Sequence, residues 1–453
     1  MISIWLLSAV MVGKVNGTIS KSKQNDSQTF LLVSCPGKRT SLSARTSFTE
    51  TQITEGATVQ NALKCINLSL CLALLTPGPA FTETVSDQAT TEATTAALVA
   101  YVYVQTKAGV NVYDANSSGE LTLVKGSPFA ESGQMEGING GYLISVGTDD
   151  LHSYKIGTDG AVGSQASEID TQSYGGSECG TTIDASILNH TGQCFSVQLA
   201  DTTPSSNSCS SLQTYKAASN GEFTFLGNTV STDGVHGSVY QQAVSTYSSN
   251  DLFAYGSMST QGANVFDAFK RASAGDLVAN TSFSQSGPTP NPSLGTYEPW
   301  AVAADPASHL AAVVYTPFGD STTMQLASYT INNSTGAVQS IDTYKNMPVV
   351  EGYPITINMS PAGNLLAVGG ANGLQIFHFN GAAPPTAYSG VVLPNVEIDQ
   401  LAWDRSNHLY LLSFSSGKLY VYTVTTTSIR EAAGSPYVAI DPYGFNGLIV
   451  VPK

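Results

Sequence analysis

The sequence contains seven copies of one strand pattern, and this repetition restricts the possible folds more than any other feature. Each copy is a short apolar segment with an aromatic residue near its end, as in GVNVYDA at 109–115 and GANVFDA at 262–268. Successive copies are separated by roughly 41 to 63 residues, which is the period typical of propeller blades. The aromatic residues are Tyr113, Tyr154, Tyr215, Phe266, Tyr329, Phe377 and Tyr422.

Two kinds of turn accompany the aromatic strand. In five copies a glycine follows the aromatic residue and opens another β-prone segment, because glycine supplies the positive φ of a tight turn. Upstream, turns that begin with Asp, Asn or Ser separate two further strands, as in SPAGNLL. Each copy therefore predicts a four-stranded antiparallel meander. The glycines are Gly119, Gly160, Gly221, Gly275 and Gly336, and the upstream turns begin at Asn189, Asp305, Ser360 and Asp404.

These markers predict an all-β fold, a seven-bladed β-propeller built from residues 97–453. One four-stranded sheet exposes two apolar faces, and seven sheets around an axis bury each face on a neighbour. A β-sandwich is the alternative, but a sandwich does not require the same ordered markers seven times. The first copy has no inner strand ahead of it, and the chain ends in GFNGLIVVPK. We therefore expect the C-terminal strand to complete blade 1 and close the ring.

The N-terminal part is predicted to lie outside the propeller. The segment at 61–81 has one basic residue, an apolar core near 66–75 and small residues at Gly78 and Ala80, as in a signal peptide. We hypothesise that translation starts near Val59, so that residues 1–60 are a leader absent from the mature product. The alternative is a short apolar segment in a disordered leader. Residues 82–96 are rich in Thr and indicate a solvated linker.

Charge and composition exclude several classes of function. The 453 residues include 18 Lys and Arg against 33 Asp and Glu, a formal net charge of −15, so no basic surface is predicted for nucleic acid or anionic lipid. Neither N-terminal apolar segment reaches the length of about 20 residues that spans a bilayer. With the signal-like segment, this composition predicts a secreted or periplasmic protein, which we expect to be a monomer.

Three cysteines belong to the predicted propeller, namely Cys179, Cys194 and Cys209. An exported protein permits one disulfide among them. We favour Cys194 with Cys209, because both would flank one hairpin, although the sequence leaves the other pairings open. Their spacing makes zinc binding improbable.

The motif at 109–129, GVNVYDA followed by GELTLVKGSPF, and the related GSPY at 434–437 resemble the lactonase-type seven-bladed propellers. This class includes relatives of 6-phosphogluconolactonase and bacterial surface propellers with YVTN-like repeats. The resemblance covers residues 97–453 and implies hydrolysis of a sugar lactone in the central channel. Its motifs are turns and strands, so they identify the fold better than the chemistry.

Lactone hydrolysis requires a general base for water and a donor for the carbonyl oxygen that gains charge. The resemblance implies a His-containing segment at an inner strand, and His236 is its best match. Glu298 and Glu351 each precede an inner strand, so all three side chains are predicted catalytic residues that converge near the axis. The alternative is that the acids only satisfy backbone amides between blades.

No cofactor and no metal site are predicted. His190, His309 and His408 lie in or beside equivalent turns of different blades, too far apart to share an ion, and Asp149 with Asp150 is interpreted as a solvated turn. Two functions remain open. The first is a lactonase-like hydrolase of a small carbohydrate ligand, and the second is a non-catalytic exported propeller that binds a glycan, peptide or envelope partner.

Overall fold

A computed structural model of the chain describes the propeller and one hairpin before it. The described residues are 19–23, 29–33, 96–131, 133–174, 182–200, 210–231, 240–241, 245–259, 266–316, 323–439 and 447–453. They belong to two compact units, residues 1–90 and 91–453. In the first unit, strands Ile19–Lys23 and Thr29–Val33 pair in antiparallel register. The predicted leader, signal-like segment and linker otherwise lie outside the described residues.

The second unit is the predicted all-β, seven-bladed propeller. The innermost strands of blades 1 to 7 are Leu448–Pro452, Gln134–Asn139, Thr182–Leu188, Tyr240–Gln241 with Thr246–Tyr247, Glu298–Ala304, Pro354–Met359 and Gln400–Trp403. The second strands are Leu98–Thr106, Tyr142–Val146, Cys194–Ala200, Phe253–Ser259, His309–Tyr315, Leu365–Gly370 and His408–Ser413. Within each blade the innermost strand pairs with the second strand in antiparallel register.

The outer half of each blade contains the aromatic strand. The third strands are Gly109–Asn116, Asp150–Ile156, Ser210–Ala217, Phe266–Arg271, Met324–Ile331, Gly373–Asn380 and Lys418–Val424. The fourth strands are Leu121–Leu123, Val162–Asp170, Phe223–Ser231, Leu277–Ala279, Val338–Gln339, Ala383–Ala387 and Ile429–Glu431. Three short strands lie in loops at the blade edges, and one 3-10 turn follows the fourth strand of blade 2. These are Gln285–Ser286, Val349–Val350, Tyr437–Val438 and Thr171–Tyr174.

Among the described residues, no helix has the length and apolar character needed to cross a membrane.

The predicted markers occupy the predicted positions. All seven aromatic residues lie in third strands and are buried, from 0% exposed for Tyr215 to 6% for Tyr113. The five turn glycines have positive φ between 73° and 98°. Apolar side chains of neighbouring blades pack into shared clusters, so each sheet is stabilised by the sheets beside it.

The C-terminal strand closes the ring, as predicted. Leu448–Pro452 pairs antiparallel with Leu98–Thr106, in a register that joins Val104 to Leu448 and Ala100 to Pro452. The backbone N–H of Gln105 donates to the oxygen of Gly447 at 2.9 Å, which extends the pairing by one residue. Blade 1 is therefore built from both ends of the propeller sequence.

The predicted disulfide between Cys194 and Cys209 is wrong. Cys194 is a free, buried cysteine whose Sγ accepts a hydrogen bond from Arg271 Nη1 at 2.7 Å. It begins the second strand of blade 3 and pairs with Lys216, whereas Ser210, next to Cys209, pairs with Ala200 at the other end of that strand. Cys194 therefore lies about 20 Å along the strand from Ala200, the residue that pairs with Ser210. Cys209 itself and Cys179 lie outside the described residues.

Candidate functional site

The innermost strands of adjacent blades contact one another around the axis of the propeller. Four of them have an irregular register near their first residues, where one extra residue enters the innermost strand. Such a β-bulge turns a side chain out of the regular ladder and is common next to active sites. The extra residues are Glu136, Asp184, Trp300 and Ile355 of blades 2, 3, 5 and 6. These equivalent positions lie near the first residues of the innermost strands, at the end of the propeller axis that we call the channel mouth.

Glu136 is the acidic residue of this ring in blade 2. Burial raises the pKa of its carboxyl from 4.5 to about 8, and the nearby Ser186 hydroxyl of blade 3 acts in the opposite direction. The following residue is Gly137, where a Cβ atom would lie 2.8 Å from Leu188 Cδ2 of blade 3. A larger residue there would require the Leu188 side chain to move. At neutral pH the Glu136 carboxyl is therefore mostly protonated and can donate a hydrogen bond.

Glu131 lies in the loop that leads into the same innermost strand. Burial raises the pKa of its carboxyl from 4.5 to about 7, although hydrogen bonds from Ser145 and Gln105 lower it. Gln105 Nε2 donates to Glu131 Oε2 at 3.1 Å, and Gln105 Oε1 accepts from the backbone N–H of Met135 at 3.1 Å. The side-chain amide of Gln105 in blade 1 therefore holds both the Glu131 carboxylate and the backbone at Met135. A carboxyl with this pKa exchanges protons near pH 7, as a general base requires.

Glu298 is the first residue of the innermost strand of blade 5, as predicted. It is buried, and its Oε2 accepts a hydrogen bond from Tyr315 Oη at 2.8 Å. Burial, with the hydrogen bond to the Glu298 carboxylate, raises the pKa of Tyr315 to about 12. The phenol therefore remains a donor, and it holds this carboxylate in place.

An aromatic group joins Glu298 to blade 6. The Trp300 ring packs edge-on against Tyr315 and Tyr353, with ring centroids 5.9 Å and 5.1 Å apart. Trp300 Nε1 donates to the backbone oxygen of Pro354 at 3.1 Å, which fixes the indole across the blade boundary. Tyr353 is 52% exposed and Ile355 is 41% exposed. The channel mouth therefore presents an apolar surface beside Glu298.

Of the other two predicted site residues, the structure describes only Glu351, which takes no part in these contacts. Glu351 is exposed, two residues before Tyr353, and its backbone N–H donates to Gln375 Oε1 at 2.7 Å. His236 lies outside the described residues. The joint role of Glu298, Glu351 and His236 therefore stays a prediction.

A further acid precedes the innermost strand of blade 7. Burial raises the pKa of Asp399, as does the charge of Glu397, while the backbone N–H of Phe414 donates to its Oδ2 at 2.7 Å and lowers it. The sequence predicted site acids ahead of inner strands only in blades 5 and 6. The same criterion applied to ESGQMEGIN in blade 2 and NVEIDQLAW in blade 7 would have identified Glu131 and Asp399, but not Glu136, which lies inside its strand.

Three histidines belong to the turns between the innermost and second strands. His309 Nδ1 lies 2.8 Å from Asp305 Oδ2, and His408 Nδ1 lies 2.7 Å from Asp404 Oδ2. His190 pairs with Asp251 of the next blade at 2.9 Å. Each ring thus has its own carboxylate partner, and these side chains stabilise turns at the other end of the innermost strands.

Solved structures share this arrangement of blades. A candidate 6-phosphogluconolactonase of Bacteroides fragilis is 11% identical, with a TM-score of 0.55 over 78% of this chain and 98% of its own. A candidate 6-phosphogluconolactonase of Bacteroides uniformis is also 11% identical, with a TM-score of 0.51 over 78% and 100% of the two chains. This chain has the fold of the lactonase-type propellers.

The similarity of this chain to other proteins rests on structure. A periplasmic gluconolactonase of Pseudomonas aeruginosa is 13% identical, with a TM-score of 0.48 over 78% of this chain and 99% of its own. No protein-family model and no curated protein matches the sequence. At these identities the likeness shows the fold alone, because one fold can perform many functions.

Proposed function

We propose that this propeller hydrolyses a sugar lactone at the channel mouth where the innermost strands begin. The observation that carries the proposal is the pair of carboxyl groups in blade 2, whose pKa values burial raises to about 7 in Glu131 and about 8 in Glu136. Two acids with separated, raised pKa values provide one base and one acid at neutral pH. The lactonase-type fold supports the same reaction class.

The two carboxyl groups have different roles in this proposal. Glu131 in its ionised form takes a proton from water as the water oxygen bonds to the lactone carbonyl carbon. Glu136 in its protonated form donates a hydrogen bond to the carbonyl oxygen, which gains negative charge. The bond from the carbonyl carbon to the ring oxygen then breaks, and the proton held by Glu131 passes to that oxygen. The product is the open-chain hydroxy acid, and no other reactant is consumed.

The aromatic group of blades 5 and 6 provides the substrate surface. Trp300 and Tyr353 offer apolar ring faces and edges, and Glu298 offers an oriented carboxylate. Carbohydrates combine C–H surfaces with hydroxyl groups, so such a surface fits a small sugar-like ligand. Glu298, Glu351 and His236 are proposed as further polar contacts to it. We propose that the protein acts as a monomer outside the cytoplasm, which the signal-like segment at 61–81 supports.

The second candidate function is glycan binding without catalysis. The exposure of Tyr353 and Ile355 favours it, because an apolar surface next to carboxylates can bind a saccharide whether or not a reaction follows. In that case the raised pKa values would reflect only the packing of blade 2. The two functions share a ligand class and differ in whether Glu131 and Glu136 are needed for turnover.

The test is hydrolysis of a panel of five- and six-membered sugar lactones, with and without phosphate, followed by acid release in a pH-stat. Glu131→Gln and Glu136→Gln are each expected to lower kcat by about 100-fold, the usual contribution of acid–base catalysis. Tyr353→Ala is expected to raise KM with a smaller effect on kcat. The matched control is Glu222→Gln, which changes an exposed residue in a turn of blade 3.

The outcomes separate the two functions. Loss of turnover in both blade 2 variants, with activity retained in the control, supports hydrolysis at this site. Activity that both variants retain would contradict the assigned roles. A chain that hydrolyses no lactone of the panel, yet binds a lactone or its open-chain acid through Tyr353, would favour the binding function.

A further inference from the structure

A second group of polar side chains lies in the outer half of blade 2. His152, in the third strand, is 6% exposed. Its Nε2 lies 3.0 Å from Asp150 Oδ1, whereas its Nδ1 is buried and has no hydrogen-bond partner among the described residues. Glu168 Oε2 lies 3.9 Å from Nδ1. One ring nitrogen is thus satisfied, and the other faces a carboxylate across a gap.

The ring contacts decide which nitrogen has the free lone pair. The Asp150 carboxylate only accepts hydrogen bonds, so a neutral His152 donates from Nε2 and leaves the lone pair on Nδ1. That lone pair then faces a second carboxylate, and two acceptors do not stabilise each other. The separation of 3.9 Å exceeds a hydrogen bond but is within two bonds of about 2.0 to 2.2 Å to a shared metal ion. A cation between the two atoms would satisfy both.

The backbone holds the three side chains together. Asp150 and His152 are two residues apart in one strand, so they share a face of the sheet. Glu168 lies directly opposite His152 in the register of the third and fourth strands. One polar atom from each of the three side chains lies within 4.8 Å of the other two. Gln165 Nε2 donates to Glu168 Oε2 at 2.9 Å, which orients this exposed carboxylate.

The local charge also favours a cation. Asp170 lies opposite Asp150 in the register of the third and fourth strands, and Asp149 lies in the turn just before Asp150. The Asp170 carboxylate is occupied by hydrogen bonds from the backbone of Gln172 at 2.7 Å and from Ser173 Oγ at 2.9 Å. These acids add negative potential without competing for the gap between His152 and Glu168.

We propose that Asp150, His152 and Glu168 form a binding site for a divalent transition metal ion such as Zn²⁺. His152 Nδ1 and a Glu168 oxygen are the protein ligands, and water completes the coordination. Asp150 accepts the hydrogen bond from Nε2 and so fixes the ring, as carboxylates do beside histidine ligands. An imidazole with a carboxylate selects Zn²⁺, Co²⁺ or Ni²⁺ over Ca²⁺ and Mg²⁺. The third strand lies about 10 Å from the innermost strand, so the site is separate from the proposed hydrolytic residues.

The test uses the tag-free, full-length chain after removal of metals with a chelator. Zn²⁺ is titrated by calorimetry, and Co²⁺ is titrated by its visible absorption spectrum. We expect saturation at one equivalent and a higher melting temperature with Zn²⁺, with no comparable effect of Ca²⁺ or Mg²⁺. His152→Gln and Glu168→Gln should each weaken binding at least tenfold, and Asp150→Asn by about tenfold, as found for residues that orient ligands. Glu222→Gln is the control and should bind Zn²⁺ as the unmodified chain does.

Two results would overturn the proposal. One is the absence of saturable Zn²⁺ and Co²⁺ binding in the unmodified chain. The other is binding that is unchanged in both His152→Gln and Glu168→Gln, which would show that the ion binds elsewhere in the chain. The melting temperature of each metal-free variant shows whether it folds. If His152→Gln does not fold, Glu168→Gln decides the question, because its side chain is 57% exposed.

Discussion

At the scale of single residues, the same type of side chain behaves differently according to the strand position that it occupies. Glu136 occupies a β-bulge of an innermost strand, where burial raises the pKa of its carboxyl. Glu298 occupies the regular position before the equivalent bulge in blade 5, where Tyr315 donates a hydrogen bond to it. Desolvation penalises the charged form of a carboxyl, while a donor favours it. The proposal therefore assigns the acid role to Glu136 and a binding role to Glu298.

Glu136→Gln is expected to change how stability depends on pH. The folded chain holds a proton on Glu136 up to about pH 8, whereas an unfolded carboxyl with a pKa of 4.5 has released it. The stability that this proton contributes is complete below pH 4.5 and is lost as the pH rises toward 8. The variant removes this loss, so it should gain stability over the unmodified chain between pH 5 and 8, by at most about 1.4 kcal/mol per pH unit. Urea unfolding at each pH measures the difference.

The same comparison with Glu222→Gln provides the reference, because that side chain is exposed in a turn. Its stability should follow the unmodified chain across the whole range. A constant difference between Glu136→Gln and the unmodified chain from pH 5 to 8 would contradict the raised pKa of Glu136. Such a result would also remove the basis for the proposed role of Glu136 as a hydrogen-bond donor.

At the scale of elements, the turn between the third and fourth strands depends on glycine. Gly336 has φ of 73°, and a Cβ atom there would lie 2.5 Å from Phe253 Cδ1 of the preceding blade. Tyr255 Oη also donates to the Gly336 oxygen at 2.9 Å. This turn is therefore both a chain reversal and a contact between blades 4 and 5.

Gly336→Ala is expected to lower the free energy of unfolding by about 2 to 3 kcal/mol, from backbone strain and from the clash with Phe253. Gly390→Ala is the matched control, since its Cβ atom would meet no atom within 4 Å. Chemical unfolding of both variants measures the difference. Equal stability of the two variants would show that the turn adjusts without cost.

The elements that the sequence predicted are those specified by local pattern. A buried aromatic residue in a strand and a glycine at positive φ each leave a signature within a few residues, and Tyr329 with Gly336 shows both. The bulge at Glu136 left no such signature, because a bulge is defined by the register against a partner strand. The pairing of Cys194 with Cys209 was wrong for the same reason. Cys194 begins a seven-residue strand whose other end pairs with Ser210, and this register is set by the partner strand.

The raised pKa values of Glu131 and Glu136 also could not be predicted from the sequence. Burial raises the pKa of both Glu131 and Glu136, while Gln105 of blade 1 lowers the first and Ser186 of blade 3 lowers the second. These neighbours are 26 and 50 positions away in a chain without charge clusters that mark them. The sequence did predict that acids precede innermost strands. It could not rank them, because burial is a property of the assembled ring.

At the scale of the whole molecule, the ring is closed in blade 1, where strands from the two ends of the propeller sequence pair. The last strand, Leu448–Pro452, belongs to blade 1 although the rest of that blade is about 350 positions earlier in the sequence. Leu448 and Val450 pack against the cluster shared with blade 7, while Ile449 and Val451 pack against the cluster shared with blade 2. One strand therefore joins both neighbours of blade 1 and supplies the ring with its final innermost strand.

Removal of residues 448–453 is expected to lower the melting temperature by roughly 10 °C. Four partly buried apolar side chains contribute about 1 kcal/mol each, and the second strand of blade 1 loses its backbone partner as well. Removal of Lys453 alone is the control and should lower the melting temperature by about 2 °C or less, since only its contacts at the end of the strand are lost. Addition of a synthetic peptide covering 447–453 to the truncated chain should restore part of the loss by pairing with Leu98–Thr106. If calorimetry gives the same melting temperature for the truncated and unmodified chains, the C-terminal strand does not stabilise the ring.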